Sequence, residues 1–181
     1  MSRSFTVSLV ILLISFVSPV QTRAEKADVY FGYSRVGANL YNVYTPGMNG
    51  WQLAMHFKQI HFIGFEGDVS HYNQNPSGFS EQVTLAMVGP RLTFGAKGFS
   101  AFAHGLAGLA HESATVTTFP STSYDATSYA LGGGADVPLF RGFKLRMTGD
   151  YLGNTNAPTT GYSPSNAPSH FRAGVGIAYH F

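Results

Sequence analysis

The last eleven residues, Phe171-Arg-Ala-Gly-Val-Gly-Ile-Ala-Tyr-His-Phe181, alternate without a break. Successive side chains of a β-strand leave opposite faces. Phe171, Ala173, Val175, Ile177, Tyr179 and Phe181 therefore share one side, and Arg172, Gly174, Gly176, Ala178 and His180 the other. One face is wholly apolar and ends on an aromatic residue; the other is small or polar. Such a strand either belongs to a soluble sheet or turns its apolar face to lipid and its small face to a lumen. Two further features favour lipid: a secretory signal and the spacing of the connections.

Residues 1–24 read as that signal. Arg3 gives a positive start, residues 5–17 are uncharged and apolar except for Thr6, Ser8 and Ser15, and Pro19 ends the run. Thr22-Arg23-Ala24 then offers small residues for cleavage. The run is shorter than the roughly 20 apolar residues a spanning helix needs, and no later stretch reaches that length. The absence of Cys excludes a lipidated N-terminus, disulfides and cysteine-held metal. Residues 25–181 are thus expected to form one exported domain. Without Arg3 and Arg23, the 11 basic residues fall to nine, equal to the nine acidic ones. That balance argues against nucleic acid, which is bound by clustered basic surface. Only 11% of the chain is charged, yet it holds 21 Gly, 15 Phe and 10 Tyr. So few charges make a poor soluble surface but suit one that meets lipid.

Period-two alternation recurs after residue 25, and helical periodicity is hard to find. It predicts eight strands, at about 27–36, 50–58, 61–72, 81–95, 99–111, 127–138, 143–152 and 171–181. Tight connections at 58–60, 96–98 and 139–142 alternate with long ones around 37–49, 73–80, 112–126 and 153–168, rich in Asn, Gly, Pro, Ser and Thr. Short turns on one side and long loops on the other are the arrangement of a transmembrane β-barrel. The expected fold is all-β: an eight-stranded antiparallel up-and-down transmembrane barrel. A soluble barrel is the rival, but it would bury its apolar residues and turn its charges to water. In this chain the strand charges share a face with Gly, Ala, Ser and Thr, opposite the large aromatics. The fifth strand, rich in Gly and Ala, leaves its facing open. In the fourth, Val83, Leu85 and Met87 disagree with Leu92 and Phe94, which a β-bulge would reconcile.

Glu66, Asp68, Arg91, Asp136, Lys144, Arg146, Asp150 and Arg172 fall on the faces assigned to the lumen. Four are acidic and four basic. Buried charges are tolerable when paired and hydrogen-bonded, and an eight-stranded bore is filled by side chains. These eight are therefore expected to form a compensating network that plugs the bore; a gated ion path or a catalytic carboxylate pair is the alternative. The seven His, at 56, 61, 71, 104, 111, 170 and 180, show no metal-ligand spacing. His111-Glu112-Ser113 and Ser70-His71 supply hydrolase residue types, but neighbours on a strand face opposite ways. Gly132-Gly133-Gly134 lacks nucleotide-loop spacing and reads as close packing of a wall. No motif asks for a cofactor. Trp51, Tyr30, Tyr72, Tyr129, Tyr151 and Tyr179 fit interfacial aromatic girdles.

Val88-Gly-Pro-Arg-Leu-Thr-Phe94, Phe102-Ala-His-Gly-Leu-Ala-Gly108, Leu131-Gly-Gly-Gly-Ala-Asp136 with Gly149-Asp-Tyr-Leu152, and the terminal strand together resemble the small outer-membrane β-barrel family, which includes the OmpA membrane domain and OmpX-like proteins. The resemblance spans residues 25–181. It implies an outer-membrane location among lipid partners, with Val175, Ile177, Tyr179 and Phe181 forming the signal read by the barrel-assembly machinery. It implies no activity, since fold leaves function open. The expectation is a monomeric, non-enzymatic barrel whose loops, carrying Tyr41, Tyr44, Met48, Phe119, Tyr124 and Tyr162, present a surface to an extracellular ligand. A small channel and, further off, a lipid A-modifying enzyme are the alternatives.

Overall fold

A computed structural model describes residues 27–37, 47–60, 62–75, 79–96, 98–116, 119–155 and 170–181. The signal segment lies outside them, as do Tyr41, Tyr44, Tyr162 and the side chain of Phe119. Eight strands form: β1 (Ala27–Gly37), β2 (Met48–Ile60), β3 (Ile63–Gln74), β4 (Phe79–Ala96), β5 (Phe99–Val116), β6 (Phe119–Phe140), β7 (Phe143–Thr155) and β8 (His170–His180). Each pairs antiparallel with the next, and β8 pairs back onto β1, from Asp28↔His180 to Gly37↔Phe171. Closure leaves no edge along the wall, which is how an up-and-down barrel satisfies its backbone.

The buried charges lie inside the barrel and its outer wall is apolar. Phe31, Leu131 and Ile177 are 61%, 59% and 42% exposed, whereas Arg91 and Arg172 are 0% exposed. A water-soluble domain distributes these residues the other way, and an apolar surface this continuous marks contact with something apolar. On β8 the outward row runs from Phe171 to Phe181, ten intervals. At about 3.3 Å each and a tilt of about 40°, that row stands about 25 Å tall, the height of a barrel's lipid belt. Aromatic rings mark both limits. At the short-turn end Phe62 stacks on Phe94, and Phe140, Phe143, Tyr179 and Phe181 touch in series. At the loop end Trp51 lies between Phe31 and His71, with Tyr129 and Tyr151 exposed further round.

The short turns set the registers beside them. Between β6 and β7, Arg141 and Gly142 both have positive φ, 41° and 86°, as a two-residue turn of the I′ class requires. A register shift between Pro138 and Phe140 precedes it, where proline's missing N–H does least harm.

Several expectations are corrected. The stretch 112–126 is mostly strand, and 73–80 is strand at 73–74 and 79–80: β3 and β4 continue to Gln74↔Glu81, and β5 and β6 pair as far as Val116↔Phe119. Cross-strand pairing recovers there what local turn-formers would forgo. The bulge proposed for β4 is absent; its register with β3 runs unbroken from Ile63↔Leu92 to Gln74↔Glu81. Leu85 and Met87 instead face inward, 4% exposed each, since parity with Arg91 puts them there. Tyr30 and Tyr72 are likewise in the bore, 0% and 1% exposed, not in a girdle. Parity places Tyr30 with Asp28 and Tyr72 with Asp68. β5 resolves with Phe102, His104, Leu106 and Ala110 inward.

Candidate functional site

The bore has two storeys. Nearer the short turns, charged side chains from β3, β4, β5, β6, β7 and β8 meet. Arg172 of β8 donates from Nη1 to Asp68 Oδ1 at 3.0 Å and from Nε to Asp150 Oδ2 at 2.7 Å. Asp150 Oδ1 lies 2.7 Å from His104 Nε2, and His104 Nδ1 lies 2.9 Å from Glu66 Oε1. Arg91 Nη1 donates to Glu66 Oε2 at 2.6 Å, and its Nη2 stands 3.7 Å from Asp136 Oδ2. Arg146 closes the series with two parallel bonds to Asp136, Nε at 2.7 Å and Nη2 at 2.8 Å. The result is one alternating chain, Asp68–Arg172–Asp150–His104–Glu66–Arg91–Asp136–Arg146, in which every charge touches only opposite charges. Forked guanidinium–carboxylate pairs are the strong form of such contacts.

His104 holds the middle. Both its ring nitrogens face carboxylate oxygens, which only accept, so both bonds form when the ring carries its second proton. Four carboxylates then face four cations. Phe102 places a large apolar ring among these charges. Arg91 Cζ stands 3.6 Å from its ring centre and Arg146 Cζ 5.0 Å, so the ring separates two guanidiniums and attracts both. Gly134 makes room for it: a Cβ there would lie 2.7 Å from Phe102 Cζ.

Seven of the eight residues expected in the lumen network are in this chain. Lys144 is not. It sits half-buried at the short-turn mouth, 3.5 Å from Asp28, which also receives His56 Nδ1 at 3.2 Å and His180 Nδ1 at 2.9 Å. The sequence reading missed Asp28, His104 and Gln52, whose Nε2 donates to Asp68 at 2.5 Å. Above the charges, towards the loops, the bore turns apolar. Tyr72, Leu85, Met87, Leu106, Ala110, Ala126, Ala130 and Leu152 pack together there. Polar contacts return at the loop-side mouth, where Glu112 accepts from Tyr124 and Asn154, and Glu81 from Gln74.

No protein-family model matches the sequence, and no curated protein matches it. Solved structures do. The chain is similar to Ail, the attachment invasion locus protein of Yersinia pestis, with a TM-score of 0.61 at 18% identity over 88% of this chain and 100% of that one. Against neisserial surface protein A (NspA) the TM-score is 0.63, at 10% identity over 86% of this chain and 96% of that one. Against OprG of Pseudomonas aeruginosa it is 0.61, at 11% identity over 88% and 97%. It has the fold of the small outer-membrane β-barrels. Identities this low speak for the fold alone.

Within an outer-membrane-type barrel, the hydrolase-like residue pairs separate as strand parity dictates. Ser70 Oγ points into the bore towards Asp68 and Arg172, while His71 lies on the outer side against Thr84. His111 is exposed and pairs with Asp125 at 2.7 Å, whereas Glu112 turns inward. Among the described residues no group of three His, Asp or Glu is arranged to hold a metal. Val175, Ile177, Tyr179 and Phe181 form an exposed row on the outer wall.

Proposed function

We propose that the protein spans the outer membrane as a monomer, exported by a cleaved signal at residues 1–24 and inserted through its terminal row, Val175, Ile177, Tyr179 and Phe181. Its bore is plugged by the charge chain and the apolar storey above it, and its role is structural and interactive, not catalytic. A filled bore weighs against a channel, and planar bilayers carrying the folded barrel should show no conductance steps.

The surface role rests on one observation: β4, β5 and β6 outrun the belt. Beyond Thr84↔His111 they stay paired to Phe79↔Val116 and Val116↔Phe119. β7 joins β6 only from Thr127↔Thr155, so among the described residues the stretch of β6 from Phe119 to Ala126 has one paired side. Such an edge can accept an extended partner segment. Ail has also been solved with a heparin analogue, sucrose octasulfate. In this chain residues 38–46, 76–78, 117–118 and 156–169 hold no Lys or Arg, so its surface suits neutral and aromatic contacts more than sulfate. Replacing residues 113–123 by Asn-Gly would join Glu112 to Tyr124 through a two-residue hairpin. That barrel should keep its heat-sensitive gel mobility, while cells expressing it should adhere less to host-cell monolayers. Equal adhesion by full and shortened barrels would refute the surface role.

A further inference from the structure

Three polar atoms of the bore border one spot without bonding to any described residue. They are Tyr30 Oη of β1, Gln52 Oε1 of β2 and Thr148 Oγ1 of β7, all buried. Tyr30 and Gln52 are 0% and 1% exposed. A Cβ built on Gly174 of β8 would lie 2.5 Å from Thr148 Oγ1, 3.1 Å from Gln52 Oε1 and 3.2 Å from Tyr30 Oη. Strand parity turns all four residues inward. Register sets Gly174 opposite Thr148, and Gly32 between Gln52 and Gly176. Gly32, Gly174 and Gly176 thus bare the wall at the seam where β8 closes onto β1, and the three oxygens stand in front of it.

These groups do not satisfy one another, and a buried polar group without a partner is costly. Gln52 Nε2 is committed to Asp68, which fixes the amide and leaves its oxygen, an acceptor only, in need of a donor. The Tyr30 and Thr148 hydroxyls are neighbours, but neither donates to Gln52 Oε1. Charge and size select the ligand. Arg172 lies two residues from Gly174 on the same face, and Arg146 Cζ stands 5.4 Å from the centre of the Tyr30 ring. Two guanidiniums repel a cation, and the amide oxygen repels an anion. What fits is one small neutral group that both donates and accepts.

We propose that an ordered water is bound here, donating to Gln52 Oε1 and one hydroxyl and accepting from the other. Three protein bonds are typical of a buried water. Through it β1, β2 and β7 are tied together across the closing seam, in front of a stretch of β8 that has no side chain to contribute. The water is a further part of the plug, and the inference rests on the reading of a filled bore.

Two measurements test it. High-resolution diffraction from crystals of the detergent-solubilised barrel should show a density peak at hydrogen-bonding distance from all three oxygens. Gly174→Ala and Gly174→Ser press the same Cβ on Thr148, so they share its steric cost, but only serine supplies an oxygen in place of the water's. In urea unfolding from vesicles, Gly174→Ser should exceed Gly174→Ala by roughly fivefold in the folding equilibrium, the effect of about one net hydrogen bond. A wild-type map without that peak would overturn the inference, even where neither variant folds, and so would a serine variant no more stable than the alanine one. Conductance steps in planar bilayers, together with the peak, would overturn the filled bore and leave the bound water in place.

Discussion

Arg172 is the residue whose loss the barrel should feel most. It is 0% exposed and makes three side-chain hydrogen bonds, to Asp150, Asp68 and Ser70. Arg172→Met keeps the volume and removes the charge. Asp150 would retain His104, and Asp68 would retain Gln52 and Ser70, so neither carboxylate is wholly abandoned. Each nevertheless loses its guanidinium inside a bore closed to bulk water. Removing one partner of a buried pair costs about 3–5 kcal/mol, which is about two to three and a half powers of ten in the folding equilibrium. Because the cost comes from uncompensated charge, neutralising the acids should recover it. The triple variant Arg172→Met/Asp150→Asn/Asp68→Asn should regain at least about half, since an ion cluster and its neutral replacement are often close in energy. The assay is urea unfolding from lipid vesicles, followed by Trp51 fluorescence and by gel shift. A single variant within about 1 kcal/mol of wild type, or a triple variant worse than the single one, would refute the charge-chain argument.

Three further outcomes follow from the wall. Ile177→Lys, near the middle of the outer row, should cost about 2–4 kcal/mol in the same unfolding assay, while Tyr179→Lys near the rim should cost about 1 kcal/mol or less; equal costs would contradict the belt's placement. Gly134→Val should abolish the gel-shifted species, because its Cβ would collide with Met147 O and press on Phe102, whereas Gly67→Val, which meets nothing within 4 Å, should fold normally. Phe181→Ser should cut the amount of barrel in cellular outer membranes several-fold while leaving refolding into vesicles near wild type, and equal losses in both would count against a role in assembly.

Strand parity made most of the barrel readable before any coordinates. It needs only the alternation of residue types, and seven charged positions fell on the inner face because strands such as β7 and β8 keep it cleanly. What escaped was what parity cannot weigh. His104 stands in a Gly/Ala-rich strand among apolar neighbours, and counting formal charges passes over histidine. Yet the tight turn beside it holds the answer: counting back from Ala96↔Phe99 sets Arg91 opposite His104, as the barrel has it. Asp136 was harder. The same count from Phe140↔Phe143 would put it opposite Met147, and only the register shift between Pro138 and Phe140 brings it to Arg146. The apolar upper storey was misread for a different reason. Leu85, Met87 and Leu106 look like lipid-facing residues, and a bore that is charged below and greasy above has no single compositional signature. Asp28 follows a segment whose structure is not described, and its partners come from β2, β7 and β8, which no local turn could have connected.

The most direct trial of the inside-out arrangement uses spin labels, which the Cys-free chain accepts without background. Phe65→Cys, Leu145→Cys and Ile177→Cys barrels are labelled and folded into vesicles, and their relaxation by oxygen dissolved in lipid is compared with that by a water-soluble nickel chelate. Oxygen should dominate at all three positions. Preferential relaxation by the chelate would mean that these side chains meet water, and a lipid-facing wall could not be sustained.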